Sequence, residues 1–232
     1  MTAFDAVIFD WSGTLVHDPP LRERVVAAGT RLGRPDSPET DRICAALNRH
    51  EHDPDVAAAQ LHADTSSARY FAAEALHFQR AGVDEELAES LLHVDEYSGF
   101  RPLYPDALPT LGKLRELGCR IAVLSDIHFD IRPLLKEQGA GALIEDYVLS
   151  YEHGVQKPAP RIFELALARL ELPAHRVLMV GDRSTHDGAA AECGMATLLL
   201  PRLPAFGCRG LFLVENLVEN LVREQGNVQG QG

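Results

Sequence analysis

The sequence predicts a doubly wound α/β domain with a mainly parallel sheet and an inserted all-helical domain. Short, uniformly apolar runs of strand length recur along the chain and alternate with patterns that are typical of helices. Uniformly apolar strands indicate a parallel sheet that helices cover on both faces. Regular alternation of strand and helix implies right-handed crossovers. One long stretch shows helical periodicity alone, which indicates the insertion.

Five strands and four helices are predicted for the α/β part. The strands cover residues 6–9, 120–124, 147–149, 177–180 and 196–200. The helices cover residues 107–117, 131–137, 161–170 and 187–193. Glycine follows three of the helices, at Gly118, Gly139 and Gly194, and glycine closes helices readily because it adopts positive φ without strain.

The inserted domain is predicted to span residues 19–100, which leaves residues 1–18 and 101–232 as the α/β core. Apolar residues recur there at spacings of three and four, and proline-rich stretches mark both boundaries. Near the C-terminus, residues 211–222 (LFLVENLVENLV) predict a short strand followed by a helix. Residues 225–232 are predicted to fray.

Composition excludes several classes of function. The 22 Lys and Arg residues against 34 Asp and Glu give a net charge of -12, which disfavours binding to a phosphate backbone. No apolar stretch approaches the roughly 18 residues of a membrane span, and the N-terminus lacks the features of a signal peptide. The four cysteines lie far apart, so we expect reduced thiols. We therefore expect a cytoplasmic protein with neither nucleic acid nor membrane as a partner.

Polar residues follow four of the predicted strands, where ligands bind in open α/β sheets. These residues are Asp10, Ser12, Gly13 and Thr14 after the first strand, Ser125 and Asp126 after the second, Lys157 after the third, and Asp182 and Asp187 after the fourth. Each residue alone is typical of a turn or a helix cap. Their joint occurrence at the ends of strands in one sheet predicts a site.

The residue types indicate phosphoryl transfer. Carboxylate and carbonyl oxygens are suitable ligands for Mg²⁺, which keeps its other positions for water and substrate phosphate. Lysine and hydroxyl groups suit a phosphoryl dianion. A carboxylate can also attack phosphorus and form an aspartyl phosphate.

The ordered motifs FDWSGTLV, VLSD, QKP and VGDRSTHD resemble those of the haloacid dehalogenase superfamily of hydrolases, over residues 10–187. The resemblance implies a Rossmann-like core, a helical cap that selects substrates, and a Mg²⁺ cofactor. It also implies that Asp10 is the nucleophile and a metal ligand. Ser125 and Lys157 would hold the transferring group, and Lys157 would offset the crowded carboxylates. Asp182 would bind the metal and Asp187 would bind or orient it.

Three sets of candidate residues result. The candidate catalytic residues are Asp10, Ser12, Thr14, Ser125 and Lys157. The candidate residues for binding phosphate or substrate are Trp11, Gly13, Ser125, Asp126 and Lys157, where Trp11 either lines the substrate entrance or packs against the cap. The candidate metal ligands are Asp10, Ser12 through its backbone carbonyl, Asp182 and Asp187.

Ser12 departs from the pattern of the phosphatases in this superfamily. They carry a second Asp at this position, which protonates the leaving alcohol and later activates water. Loss of a positioned general acid or base typically costs about 10²- to 10⁴-fold in rate. His17, Asp18 and His128 are nearby candidates to replace it, although each is more typical of a solvated loop.

Two other branches of the superfamily lack that Asp. The phosphonoacetaldehyde hydrolases resemble the first motif, but their Schiff base needs a cap lysine, and the three lysines here (Lys113, Lys136 and Lys157) all lie outside the predicted cap. The 2-haloacid dehalogenases use a cap arginine without a metal. Arg42 is a candidate for that arginine, although the retained Gly181 and Asp182 disfavour a metal-free site.

The preferred hypothesis is a Mg²⁺-dependent phosphohydrolase or phosphotransferase acting on a small phosphate ester or acyl phosphate. The alternatives are a phosphate-binding or regulatory protein with little turnover and a metal-independent dehalogenase. The cluster of His50, His52 and Asp53 is predicted to be a polar linker between cap helices rather than a metal site. The aromatic residues Tyr70, Phe71 and Phe78 are expected to pack within the cap. The sequence leaves the substrate and the oligomeric state open.

Overall fold

A five-stranded parallel sheet forms the centre of the fold. The computed structural model describes residues 4–97, 99–203 and 205–219. The strand order is β3-β2-β1-β4-β5, and each neighbouring pair is parallel. The strands are β1 (Ala6–Phe9), β2 (Arg120–Ser125), β3 (Asp146–Leu149), β4 (Val177–Gly181) and β5 (Ala196–Leu199). The predicted doubly wound α/β fold is therefore confirmed, with each strand end within one residue of its predicted position.

Nine α-helices lie between Leu21 and Leu170 in the described part of the chain. Five of them follow β1: α1 (Leu21–Arg31), α2 (Pro38–His50), α3 (Pro54–Gln60), α4 (Ser67–Ala81) and α5 (Glu85–His93). The other four surround the sheet: α6 (Ala107–Glu116), α7 (Arg132–Glu137), α8 (Ser150–His153) and α9 (Pro160–Leu170). The helix predicted after β4 is a 3₁₀-helix, Asp187–Cys193.

Alternate residues of each central strand face opposite sides of the sheet and enter two separate cores. In β1, Val7 and Phe9 pack with α6 and α7 on one side, whereas Ala6 and Ile8 pack with α9 on the other. Both sets are fully buried. This two-sided burial explains why the strands read as continuous apolar runs.

The helices that follow β1 have an apolar core of their own. Val25, Leu47, Phe78 and Leu87 are buried together with Leu91 in this cluster. Two of these helices have an N-cap residue whose side chain accepts a hydrogen bond from the first turn. These residues are Ser66 for α4 and Asp84 for α5. We refer to these five helices and the 3₁₀-turns among them as the cap. Its boundaries at residues 19 and 100 remain a prediction.

The chain enters and leaves the cap through two adjacent segments. Val16 and Leu103 form an antiparallel bridge, and the His17 amide donates to the Pro102 carbonyl over 2.9 Å. On the far side, the Ser150 hydroxyl donates to the Asp64 carbonyl over 2.6 Å. The Ser67 hydroxyl also donates to the carbonyl of His128. The cap therefore contacts the core at both ends.

Two aromatic residues of α4 contact both the core and the cap. Tyr70 stacks on His128 with ring centroids 3.3 Å apart, and Phe71 meets His128 edge to face. Phe71 also packs against His93 of α5 with ring centroids 5.5 Å apart. The prediction that these residues pack within the cap is therefore incomplete, because helical spacing identifies an apolar face and not every element that covers it. Phe78 does lie in the cap core.

The predicted strand near the C-terminus is also wrong. Residues 212–219 form a helix, and Val214 and Val218 are buried against the core at a spacing of four. Residues 225–232, predicted to fray, lie outside the described residues. No helix in the described part of the chain is long and apolar enough to cross a membrane.

Candidate active site

Asp10 stands at the carboxyl edge of the sheet, directly after its central strand. β1 lies between β2 and β4, so the chain winds away from it in both directions and leaves a crevice at the strand ends. The Asp10 amide donates to the Val180 carbonyl over 2.8 Å, which fixes the backbone against β4. The Asp10 side chain is 5% exposed, and the Thr14 hydroxyl donates to its Oδ2 atom over 3.4 Å.

Lys157 joins two carboxylates beneath this crevice. Its Nζ atom donates to Asp10 Oδ1 over 2.7 Å and to Asp187 Oδ1 over 2.6 Å, and it lies 3.4 Å from the Leu124 carbonyl. Lys157 is only 2% exposed. The three donors of the ammonium group are therefore directed at three protein oxygens, which agrees with the predicted role of offsetting the carboxylates.

Asp187 holds the loop that carries Asp182. Its Oδ2 atom accepts hydrogen bonds from the Asp182 amide over 3.0 Å and from the Arg183 amide over 2.9 Å. With Lys157 on its other oxygen, the Asp187 carboxylate has partners on both sides. Asp182, by contrast, has a buried Oδ1 atom without a hydrogen-bond partner among the described residues. Asp182 is therefore the carboxylate that is left free for a ligand.

Two glycines permit these close approaches. Gly13 has φ 75°, and a Cβ atom there would lie 2.6 Å from Asp182 Oδ2. A Cβ atom at Gly181 would overlap the Asp187 carboxylate. Any larger residue at either position would displace an acidic side chain.

The carboxylates form a cluster that is suited to a cation. One oxygen from each of Asp10, Asp182 and Asp187 lies within 4.8 Å of the others. Burial, with the charge of Asp187, raises the pKa of both Asp10 and Asp182, while Lys157 opposes the rise at Asp10. Burial acts in the same direction at Asp187, but Lys157 and two backbone amides lower its pKa. Three acids against one ammonium group leave an excess of negative charge, and hard oxygen donors are the ligands that Mg²⁺ prefers.

The loop after β2 brings a hydroxyl group and a fourth carboxylate to the same edge. Ser125 is 1% exposed, and its Oγ atom has no hydrogen-bond partner among the described residues. Asp126 Oδ1 accepts the Lys157 amide over 2.9 Å, so Asp126 supports the lysine loop. Burial raises the pKa of Asp126. The structure thus brings Asp10, Ser125, Asp126 and Lys157 together as predicted.

Ser12 is engaged by two charged groups. Its hydroxyl accepts a hydrogen bond from Arg101 Nη1 over 2.7 Å and donates to Asp18 Oδ1 over 3.1 Å. Arg101 also forms ion pairs with Asp18 at 3.2 Å and with Asp95 at 3.1 Å. The position at which the phosphatases carry a second acid is therefore filled by a neutral residue between a guanidinium group and a carboxylate.

A cavity of about 1150 Å³ separates the cap from these residues. Gly13, Asp18, Asp126 and Asp182 line its core side, and cap residues including Asp64 line the opposite side. Through Gly13, Asp126 and Asp182 the candidate site thus borders a cavity between the two parts of the molecule. Small-molecule sites are commonly found in such positions.

Three residues are not where the sequence predicted. Trp11 is fully buried, edge to face with Phe129 and beneath Arg101, so it does not line the substrate entrance. Arg42 is 74% exposed and pairs with Glu39 on α2, which places it on the outer surface of the cap. His128 is buried under Tyr70 rather than solvated. The corrections for Trp11 and His128 arise from contacts between distant segments of the chain.

The remaining predictions for polar residues can be checked individually. His50 pairs with Asp53 over 2.7 Å between α2 and α3, as expected of a polar linker. The acidic site cluster is the one group of potential metal ligands found among the described residues. His17 lies 3.4 Å from Glu23 at the cavity wall, whereas Asp18 contacts Ser12.

Arg209, which was not predicted from the sequence, supports the loop after β1 by a hydrogen bond to the carbonyl of Gly13. It is 3% exposed and donates to the carbonyls of Gly13 over 2.5 Å, Pro201 over 2.6 Å and Leu200 over 3.1 Å. Asp106 anchors the backbone of this segment by accepting the Arg209 amide over 2.8 Å. No local signal marks Arg209, because all of its partners are distant in sequence or backbone atoms.

We predict that Arg209→Met lowers the free energy of unfolding by about 3 kcal/mol, since three buried carbonyls lose their donor. The measurement is denaturant unfolding followed by circular dichroism. Arg161→Met is the control, because Arg161 is 67% exposed and should change stability by less than about 0.5 kcal/mol. Equal stability of the two variants would contradict the supporting role.

We predict that Asp182→Asn raises the melting temperature in EDTA by about 2–4 °C, because it removes an unpaired charge from a cluster of like charges. The same variant should lose any stabilisation that Mg²⁺ gives to the wild-type chain. Thermal unfolding in EDTA and in Mg²⁺ measures both effects. Asp130→Asn, at an exposed position, serves as the control. A lower melting temperature for Asp182→Asn than for the wild type in EDTA would contradict the prediction.

Comparisons with known proteins agree with this geometry. The family model described as haloacid dehalogenase-like hydrolase matches residues 4–194. The chain is 30% identical to the glyceraldehyde 3-phosphate phosphatase of Methanopyrus kandleri over 85% of this chain and 84% of that protein. It is also 30% identical to the ribulose-1,5-bisphosphate 5-phosphatase of Halopiger xanaduensis over 84% and 83% of the two chains.

Solved structures show the same fold. A haloacid dehalogenase superfamily (HAD) phosphatase from Thermococcus onnurineus matches with a TM-score of 0.63 at 22% identity, over 93% of this chain and 98% of that one. A dehalogenase with an intermediate complex matches with a TM-score of 0.69 at 19% identity, over 94% and 98%. The cluster of Asp10, Lys157, Asp182 and Asp187 and the match over residues 4–194 lead to one assignment. The chain belongs to the haloacid dehalogenase-like hydrolases.

Proposed function

We propose that the protein is a Mg²⁺-dependent phosphohydrolase or phosphotransferase that acts on a small phosphate ester or acyl phosphate through an aspartyl-phosphate intermediate. The observation that carries this proposal is the position of Asp10. It lies at the end of the central strand, with a carboxylate oxygen 2.7 Å from Lys157 and a carboxylate oxygen within 4.8 Å of one from Asp182, which lines the cavity. The names of the two phosphatase relatives support the same reaction class.

The residues present fit a divalent cation. Asp10, Asp182 and the backbone carbonyl of Ser12 would hold it, and the unpartnered Oδ1 atom of Asp182 supplies an oxygen that is otherwise unsatisfied. We assign Asp187 to orienting Lys157 and the Asp182 loop, because one of its oxygens accepts Lys157 and the other accepts two backbone amides. Among the described residues, Oδ2 of Asp10 has only a long contact to Thr14. When bound, Mg²⁺ would offset the charge of the carboxylates and of the phosphoryl oxygens.

Asp10 would then attack phosphorus with a carboxylate oxygen. A new bond forms between phosphorus and this oxygen while the bond to the leaving oxygen breaks, and the leaving oxygen takes the electron pair. Ser125 Oγ is free to donate to a phosphoryl oxygen. Lys157 offsets charge at Asp10, and its weakest contact, 3.4 Å to the Leu124 carbonyl, is the one that a phosphoryl oxygen would replace. Water then attacks phosphorus as the bond between phosphorus and the Asp10 oxygen breaks. The electron pair returns to the Asp10 carboxylate, the oxygen of the water becomes part of inorganic phosphate, and its proton passes to solvent.

Ser12 limits which substrates react quickly. Of the three residues suggested as replacements for the missing acid, His128 is buried and does not line the cavity. His17 lines the cavity but lies 3.4 Å from Glu23. Asp18 accepts the Ser12 hydroxyl and pairs with Arg101 at 3.2 Å, so its Oδ1 atom already has two partners. We therefore propose that acyl and aryl phosphates, whose leaving groups need little protonation, react faster than alkyl phosphates.

We predict that Asp10→Asn lowers the Mg²⁺-dependent hydrolysis of phenyl phosphate by about 10³-fold or more, because the amide is a poor nucleophile. Initial rates with and without EDTA measure the effect. Thermal unfolding of the variant serves as the control for folding. Activity retained by Asp10→Asn would show that another group attacks phosphorus.

We predict that Ser12→Asp raises kcat for an alkyl phosphate by about 10- to 100-fold, and less for phenyl phosphate, because it restores a carboxylate beside the leaving group. Arg101 at 2.7 Å provides the new carboxylate with a partner. Ser12→Ala, which adds no acid, is the matched control. An unchanged ratio of alkyl to aryl rates would contradict the assignment of Ser12.

A phosphate-binding protein with little turnover is the second candidate, and the neutral Ser12 is the observation that favours it. The kinetic panel separates the two functions. Calorimetric binding of phosphate and Mg²⁺, with no hydrolysis of acyl, aryl or alkyl phosphates, would support the binding protein. Turnover of acyl or aryl phosphates that depends on Asp10 would support the enzyme.

A further inference from the structure

We propose that the cap selects phosphate esters whose leaving group is hydroxylated and carries no second anion, and that Asp64 is the residue that makes this selection. The inference rests on the proposed function, because it concerns the part of the substrate that lies beyond the phosphoryl group. It concerns the cap side of the cavity, where none of the candidate catalytic, phosphate-binding or metal-binding residues named from the sequence lies.

Asp64 is one of the cap residues that are held against the loops of the candidate site. It lies in a 3₁₀-turn, Ala63–Thr65, and its carbonyl accepts the Ser150 hydroxyl over 2.6 Å. The Ser150 hydroxyl also accepts the Ile127 amide over 2.9 Å, which ties the turn to the loop that carries Ser125 and Asp126. The position of Asp64 is therefore set by the core as well as by the cap.

The Asp64 side chain is available to a ligand. It is 30% exposed and lines the cavity. The nearest ring nitrogen, Nδ1 of His128, lies at 3.8 Å, which is beyond hydrogen-bond distance. Within the described residues, no side chain or backbone group donates a hydrogen bond to its carboxylate. Its two oxygens can thus accept hydrogen bonds from substrate hydroxyl groups.

The rest of the cap wall adds negative charge. Glu51 and Glu74 line the same side of the cavity. Arg24 is the cap cation that lines it, and this guanidinium group already forms an ion pair with Asp95 at 3.1 Å. Glu74 accepts a hydrogen bond from Gln60 over 2.6 Å, which leaves its charge in place. An anion on this side would therefore face carboxylates without a free cation among the described cap residues.

The other cations of the cavity lie at its catalytic end. Arg202 is 3.8 Å from both Asp182 and Asp18, and Arg183 donates to His186 beside the Asp182 loop. These side chains face the carboxylates of the site, where the phosphoryl group would bind. The catalytic end thus has cations beside its carboxylates, whereas the cap wall has carboxylates without a free cation among the described cap residues. Selection against a partner by like charge follows directly from this arrangement.

The test uses two matched phosphonates, which no phosphatase chemistry can hydrolyse. 4-(Hydroxymethyl)phenylphosphonate and 4-carboxyphenylphosphonate differ only in the group that would reach the cap wall. We expect calorimetry in Mg²⁺ to give a Kd about tenfold lower for the hydroxymethyl compound with the wild-type chain. Asp64→Asn should reduce this ratio severalfold by improving the binding of the carboxylate, because a like charge has been removed. Glu39→Gln on the outer face of α2 should leave the ratio unchanged.

Equal or tighter binding of the carboxylate by the wild type would overturn the proposal. The proposal would also be overturned if Asp64→Asn left the ratio of the two Kd values unchanged. The corresponding phosphate esters, assayed for hydrolysis in parallel, distinguish the two levels of inference. If the phosphonates show the expected ratio of Kd values but no ester is hydrolysed, the proposed selectivity is supported and the proposed enzymatic function is contradicted. If both esters are hydrolysed at equal rates, the enzymatic function is supported and the selectivity is contradicted.

Discussion

One buried ammonium group holds two buried carboxylates together at the centre of this molecule. Lys157 reaches Asp10 over 2.7 Å and Asp187 over 2.6 Å, and all three side chains are at most 7% exposed. Burial of any one of these charges alone would be strongly unfavourable, so their loops are constrained to meet. Asp182 lies outside these contacts. One of its oxygens has no hydrogen-bond partner among the described residues, and its ion pair with the exposed Arg202 is 3.8 Å long. The packing that pairs Lys157 with two carboxylates therefore leaves a third carboxylate that can bind a cation.

The sequence was sufficient to predict this cluster because strand ends fix where side chains meet. Asp10 and Asp182 follow strands that are adjacent in the sheet, so their convergence follows from a parallel arrangement alone. Gly13 and Gly181 belong to the same motifs, and each leaves space for an acid that a Cβ atom would occupy. Local sequence and global topology agree here, and such agreement makes a prediction from sequence reliable.

The predictions failed where distant segments meet without a local pattern. Arg209 binds the carbonyl of Gly13 across 196 residues of sequence, and its three partners are carbonyls that any residue type presents. Trp11 follows an acid in a polar loop, yet Phe129 and Arg101 bury it from other parts of the chain. The C-terminal run LFLV has the composition of a strand. Its helix forms because Val214 and Val218 pack on the core at a spacing of four, an example of tertiary context overriding β-propensity.

The neutral residue at position 12 is consistent with the charges around it. Arg24 and Arg101 are paired with Asp95, and Arg101 is paired further with Asp18, so that two guanidinium groups face two carboxylates near the entrance to the cap. Ser12 joins this group through one hydrogen bond to each sign of charge. A carboxylate at position 12 would add a third negative charge to a balanced, largely buried set, and such an excess is costly. The neutral Ser12 in place of an acid is therefore consistent with the ion pairs of Arg101, which connect the loop after β1 to the cap. The proposed role of Asp64 follows from the same distribution of charge. Carboxylates of the cap that lie opposite the candidate site would disfavour a second anion, so that the phosphoryl group would be the one anionic part of the substrate.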